Sequence, residues 1–286
     1  MSHHLSSPCS PYEPAPLPAL VARLRAAGCV FAEDEAELLV STARTPSDLA
    51  AMTDRRVAGF PLEQVLGWAE FCGRRIAVDP GVFVPRRRTE FLVGQAAALL
   101  RAAPRPRPVV VDLCCGTGAV GAALAAAVGS HTDPSTPQIE LHAADIEPAA
   151  VRCARRNIPP STGRVYEGDL YAALPPGLRG RIDILVVNAP YVPTDAIGLL
   201  PPEARDHEPL VALDGGADGL DVQRRVAAEA AQWLAPDGHL LIETSERQAP
   251  HTLDAFRRGG LRAWPADDED LCATVVIGTG RNGAAS

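Results

Sequence analysis

The spacing of apolar positions changes once along the chain. Between residues 17 and 66 they recur every three to four residues. Leu20 and Leu24, then Ala36, Leu39 and Val40, predict a small helical domain. Gly28 and the run Thr45-Pro46-Ser47-Asp48 separate its helices, the second as an N-cap signal. Residues 67–85 read as a linker that holds a short hairpin. From about Pro108 the pattern becomes short β-branched runs alternating with helical stretches. Strands are predicted over 109–111, 139–144, 164–167, 182–187, 238–243, 261–264 and 273–277. Helices are predicted over 119–128, 148–157, 223–234 and 251–258. This alternation predicts an α/β fold, a parallel doubly wound sheet covered on both faces, with the main domain spanning 86–280. Residues 1–16, rich in Ser and Pro, and 281–286 read as disordered tails.

Composition narrows the possibilities. Apolar residues make up 47% of the 286, ample for a packed core. All 27 basic residues are arginine, against 35 acidic ones, for a net charge of −8. That balance argues against a protein that grips nucleic acid by its phosphates. The one compact basic cluster, Arg86-Arg87-Arg88, fits a solvated turn as well as a functional one. Seven scattered cysteines with no C-x-x-C pair argue against a disulfide framework or a zinc site and for a reducing cytoplasm. The histidines lack ligand spacing, so no metal is expected. No apolar run approaches the ~20 residues that span a bilayer, and no secretory leader is evident.

Chemistry enters with the stretch V-V-V-D-L-C-C-G-T-G-A-V-G. A strand ending in Asp112 runs into a turn in which Gly116, Gly118 and Gly121 allow close approach of backbone to a ligand. The glycine spacing also fits a dinucleotide loop. An acid at the strand end repels a pyrophosphate, however, and suits an ammonium group, which points to S-adenosylmethionine as cofactor. Asp145, at the end of the second strand, is placed to accept both ribose hydroxyls, with Ile146 beside it on the adenine face. Asp169, after the third strand, is placed to accept from the adenine amine, with Leu170 lining the pocket.

The fourth strand ends in Asn188-Ala189-Pro190-Tyr191. An amide nitrogen is a poor nucleophile, because its lone pair is shared with the carbonyl. The Asn188 side-chain oxygen and the Ala189 carbonyl can each accept an N–H from such a nitrogen, fixing it and offsetting the positive charge that develops. Pro190 stiffens the turn, and Tyr191 can stack on a planar substrate.

With these motifs in place, residues 60–280 resemble the HemK/PrmC family of protein-(glutamine-N5) methyltransferases. The resemblance rests on Gly59-Phe60-Pro61 through Gly67, on V-P-R-R-R-T-E at 84–90, on D-L-C-C-G-T-G-A-V, and on E-P-L-V-A-L-D-G-G-A-D-G-L at 208–220. It implies a class I Rossmann-like methyltransferase with a seven-stranded, mostly parallel sheet and a helical domain that helps recognise substrate. It also implies that Cys114, Thr117 and Asn188 join the cofactor site, and that the acceptor is a glutamine of a peptide chain release factor. Two departures stand out. Ala189 replaces the first proline of the usual N-P-P-Y, and D-E-D-L-C-A-T replaces the usual C-terminal pattern. They leave open another peptide or small-molecule amide, an adenine nitrogen of nucleic acid, or a protein that binds the cofactor without turnover.

Overall fold

The computed structural model describes residues 17–128 and 139–280, so both expected tails lie outside the described residues. The chain divides into two compact units, Met1–Leu66 and Gly67–Ser286.

In the first unit the predicted helical spacing becomes α1 (Leu17–Ala26), α2 (Ala32–Thr42), α3 (Pro46–Val57) and α4 (Leu62–Leu66). Leu20, Leu24, Ala36, Leu39 and Leu49 form its interior. Thr45 caps α3 by accepting the Asp48 N–H at 3.1 Å, with Pro46 preset in the first turn. A buried ion pair joins α2 to α3: Arg56 Nε donates to Glu35 Oε2 at 2.6 Å and Arg56 Nη2 to Glu35 Oε1 at 3.1 Å.

The second unit begins with the hairpin β1 (Trp68–Phe71) and β2 (Arg74–Ala77). Its turn residues Cys72 (φ 50) and Gly73 (φ 67) both have positive φ, as a type I′ hairpin turn requires. The stretch expected as a linker is therefore part of the larger unit, which starts at Gly67 rather than at 86. The physical reason is a set of side-chain bonds. Asn157 Oδ1 accepts the Ala77 N–H and Asn157 Nδ2 donates to the Ala77 carbonyl, both at 2.9 Å. Val82 packs beside Ala150 and Cys153.

Then come α5 (Glu90–Ala102), β3 (Val109–Leu113), α6 (Ala119–Val128), β4 (Glu140–Asp145), α7 (Pro148–Asn157), β5 (Gly163–Glu167) and β6 (Ile182–Val187). The remaining elements are α8 (Pro202–His207), α9 (Asp221–Trp233), β7 (Leu234–Thr244), α10 (Ala249–Arg258), β8 (Leu261–Asp268) and β9 (Ala273–Gly280). The sheet has seven strands in the order β5-β4-β3-β6-β7-β9-β8. β3 to β7 run parallel, and β9 pairs antiparallel with both β7 and β8.

Period-two alternation explains the two cores. Val110 faces a layer built from α5, α6 and α7, whereas Val111 and Leu113 face α9 and α10. The chain runs outward from β3 to β5, then returns to lay β6 on the other side of β3. That reversal opens a crevice at the carboxyl ends of β3 and β6, where open α/β sheets bind ligands. No helix among the described residues is long and apolar enough to cross a membrane.

Candidate active site

The loop after β3 holds three left-handed residues at alternate positions, Cys114 (φ 55), Gly116 (φ 53) and Gly118 (φ 74). Such a backbone gathers N–H groups into a concavity. Two of its glycines serve different ends. A Cβ on Gly118 would lie 2.9 Å from Ile158 Cδ1 and 3.2 Å from Ala154 Cβ, so this glycine lets the loop pack against α7. A Cβ on Gly116 would meet nothing within 4 Å, so this glycine borders open space. The buried Thr117 anchors the loop, its carbonyl accepting Asn157 Nδ2 at 2.8 Å.

Two acids sit beneath the loop. Asp112 is buried, and its Oδ2 accepts the Gly121 N–H at 2.9 Å. Burial, and secondarily the nearby Asp145, push its carboxyl up to about 7, against the Gly121 bond that lowers it. Asp145 Oδ2 accepts the Gly116 N–H at 2.8 Å and Oδ1 accepts the Glu147 N–H at 2.9 Å. Burial raises this carboxyl as well, while those backbone bonds pull it down. Each oxygen keeps a lone pair for a ligand hydroxyl. Ile146 follows, 52% exposed although large and apolar. Asp169, expected to accept from the adenine amine, is ion-paired through Oδ2, 2.6 Å from Arg225 Nη2 on α9. Leu170 (φ 48) opens the short turn Leu170–Ala173 and packs on the core beside it.

This arrangement suits S-adenosylmethionine. Two raised carboxyls, the buried Asp112 and the half-buried Asp145, invite a cation and hydroxyl donors, the glycine loop faces open space, and Ile146 offers an apolar plane. Asp112 and Asp145 would hold the amino and ribose groups. No phosphate is called for, and acids so placed would repel one.

Asn188, Ala189, Pro190 and Tyr191 follow β6 directly. Asn188 Nδ2 donates to Thr89 Oγ1 at 3.4 Å. Among the described residues no protein donor takes Asn188 Oδ1 or the Ala189 carbonyl, so two acceptors stand together at the strand end. The segment 213–221 braces them from behind. Val192 N–H donates to Leu213 O, Gly215 N–H to Val192 O and Thr194 N–H to Gly216 O. Gly219 (φ +77) lies so close that a Cβ would sit 2.2 Å from the Tyr191 carbonyl oxygen. Tyr191 O also accepts Gln248 Nε2 at 2.9 Å.

Residues that sequence analysis gives no role complete the picture. Two members of the arginine run are held in ion pairs, while Arg87 is exposed. Arg86 Nη2 lies 2.6 Å from Glu208 Oε2, whose carboxyl is wholly buried, and Arg88 Nε lies 3.3 Å from Glu243 Oε1. The Arg88 guanidinium also stands over the Tyr191 ring, 5.8 Å from its centroid. Burial raises the Glu243 carboxyl, against Thr89, Arg88 and Tyr191, which favour its charged form. The available signals were V-P-R-R-R-T-E, which carries Arg88 and Thr89, and an acid closing the apolar run L-L-I-E.

The model of the methyltransferase small domain matches residues 74–198. A release factor glutamine methyltransferase of Streptomyces coelicolor is 38% identical over 217 residues, covering 76% of this chain and 74% of that one. A 4-amino-L-phenylalanine/4-methylamino-L-phenylalanine methyltransferase of Streptomyces pristinaespiralis is also 38% identical, over 211 residues, covering 72% of this chain and 68% of that one. Among solved structures, a methyltransferase from Pyrococcus furiosus matches the fold with a TM-score of 0.50 at 14% identity, over 81% of this chain and 100% of that one. With such identity running through most of both chains, and with the Gly-rich loop, strand-end acids and N-A-P-Y turn on one crevice, the chain belongs to the family of release factor glutamine methyltransferases.

Proposed function

We propose that the protein methylates the side-chain amide nitrogen of a glutamine in a peptide chain release factor, using S-adenosylmethionine. The observation that carries this reading is the pair of acceptors, Asn188 Oδ1 and the Ala189 carbonyl, left without a protein donor beside the acid-lined loop. When bound, the cofactor supplies an electrophilic methyl group on a sulfonium. Asn188 and Ala189 hold the two N–H groups of the acceptor, turning the nitrogen lone pair toward that methyl. Their partial negative charges offset the positive charge that builds on the nitrogen. The proton leaves afterwards from a nitrogen made acidic by methylation, so attack needs no strong base. Replacing proline by Ala189 keeps the carbonyl that does this work.

A second reading has specific support. The relative named for 4-amino-L-phenylalanine is as similar to this chain as the first release factor enzyme. An aromatic amine is also a planar nitrogen with two N–H groups, and the same clamp fits it.

Tritium transfer from labelled cofactor separates the readings. Purified release factor, its Gln→Ala variant in the Gly-Gly-Gln loop, and 4-amino-L-phenylalanine would be compared. Label on the release factor that disappears in the variant supports the first reading. Label on the amino acid alone overturns it in favour of the second.

A further inference from the structure

The acceptor clamp has an ambiguity built into it. The two ends of an Asn side chain have nearly the same shape, yet only Oδ1 can accept an N–H from the substrate. Turned through 180°, Asn188 would meet the acceptor nitrogen with its own NH2, donor against donor. Something must hold Nδ2 on the far side. The contact on that side is Thr89 Oγ1, at 3.4 Å.

A hydroxyl does not by itself choose, since it can donate or accept. Its direction is set by where its own proton goes. Thr89 is buried, and its hydroxyl borders the carboxyl of Glu243 closely enough to favour the ionised form. An ionised carboxylate can only accept. A Thr89 proton directed to Glu243 would leave the hydroxyl lone pair for Asn188 Nδ2 and turn Oδ1 to the substrate.

The environment of Glu243 suits this task. It sits near the carboxyl end of β7, one residue beyond the Ile242 that pairs with Val187, so it neighbours Asn188 across the β6–β7 ladder. Its side chain is 2% exposed, and its Oε2 is buried with no partner at full hydrogen-bonding geometry. Such an acid is costly to keep unless it has a use. The groups facing it are Arg88 and Thr89 from the turn before α5, and Tyr191 from the loop after β6, with Arg86 acting on Tyr191 from further out. On the β9 side its neighbour is the apolar Val275.

We propose that Glu243 is a positioning residue for methyl transfer: through the Thr89 hydroxyl it fixes the Asn188 amide so that Oδ1 faces the acceptor nitrogen. This rests on the reading of Asn188 as the acceptor clamp. It extends that reading to β7 and to the turn before α5.

The protein has only three asparagines, Asn157, Asn188 and Asn282, which makes the relay directly observable. With 15N-asparagine labelling, Asn188→Ala assigns one of three side-chain NH2 pairs. Asn157, bonded to Ala77 and Thr117, reports that the fold is intact. The Asn188 pair should shift in Glu243→Gln and in Thr89→Val, with Asn157 unmoved, and should stay in place in Thr89→Ser. In the unaltered protein the Asn188 pair should also move as pH falls and Glu243 takes a proton, and it should lose that movement in Glu243→Gln. In methyl transfer, Glu243→Gln and Thr89→Val should lower kcat roughly 10- to 100-fold. Cofactor Kd should not change, and Thr89→Ser should restore the rate.

If Asn188→Ala abolishes transfer while Glu243→Gln and Thr89→Val leave both the rate and the Asn188 resonances unchanged, the relay is wrong and the clamp stands. If Asn188→Ala transfers methyl normally, the clamp fails and the relay fails with it.

Discussion

Asp112 shows how much one buried residue can determine. Its carboxyl is raised to about 7 in the folded protein from an ordinary 3.8, chiefly by burial. Only the ionised form can pair with an ammonium group. Cofactor affinity should therefore rise as pH climbs from about 6 to 8, and Asp112→Asn should flatten that rise. Calorimetric titration across this range tests the assignment, and equal slopes in the two proteins would remove Asp112 from the amino-group site. Stability of the cofactor-free protein moves the other way. The folded state holds this proton to higher pH than the unfolded state, so stability should fall as pH rises from about 4 to 7. Asn188 is the complementary case, a residue whose main task is on the acceptor. Asn188→Ala should cut turnover by ~100-fold or more and leave cofactor Kd nearly unchanged, by analogy with losing one preorganised partner.

At the scale of elements, two glycines in different turns separate two costs that are often confused. Gly180 (φ +69) and Gly219 (φ +77) share a left-handed backbone, but a Cβ would meet nothing within 4 Å at the first and the Tyr191 carbonyl oxygen at 2.2 Å at the second. Gly180→Ala should cost about 1–2 kcal/mol of backbone strain alone. Gly219→Ala adds overpacking, for roughly 3 kcal/mol or more, and a Tm lower by about 5–10 °C. It should also reduce activity, because it pushes on the turn that carries the acceptor clamp. Thermal melts of both variants give the comparison.

The same scale shows what was legible in the sequence. α6 and α7 were readable to the residue, since a Gly-rich turn and a proline mark their starts. α5 was not. Its buried face of Leu92, Val93, Ala96, Ala97 and Leu100 has helical spacing, but Gly94 and a nearly continuous apolar run blur the contrast with the other face. β7 begins at Leu234, before the predicted 238, because Leu234 already pairs with Ile182 and the strand continues past a bulge that contains the left-handed Asp237 (φ 63). The strand-end acids could be located from spacing. That Asp169 is tied to Arg225, that Arg86 pairs with Glu208 and that Arg88 pairs with Glu243 depends on contacts between distant elements, which no local pattern encodes.

For the molecule as a whole, every residue of the crevice described here lies in the unit Gly67–Ser286, which has its own two cores on the faces of one sheet. Residues 67–286 expressed alone should fold cooperatively and bind the cofactor with a Kd within a few-fold of the full chain. Circular dichroism and calorimetry would show this, and a fragment that stays unfolded would contradict it.

The order of the sheet carries a consequence for how the protein is assembled. β9 lies between β7 and β8, although it follows both in the chain. Until it slots in, β7 presents an open edge along Leu240, Leu241 and Ile242, an apolar template for pairing with other chains. The β7–β9 pairs span 30 residues at Thr244↔Thr274 and 40 at His239↔Thr279, against 74 at Val110↔Ile184 between β3 and β6, so the antiparallel edge closes before the parallel centre. The carboxyl end of β7, and Glu243 with it, is secured only when β6 joins it. In refolding, β7 and β9 should gain hydrogen-exchange protection before the Asn188 side-chain amide reaches its native resonance, and the interval between the two is when the chain is most exposed to aggregation.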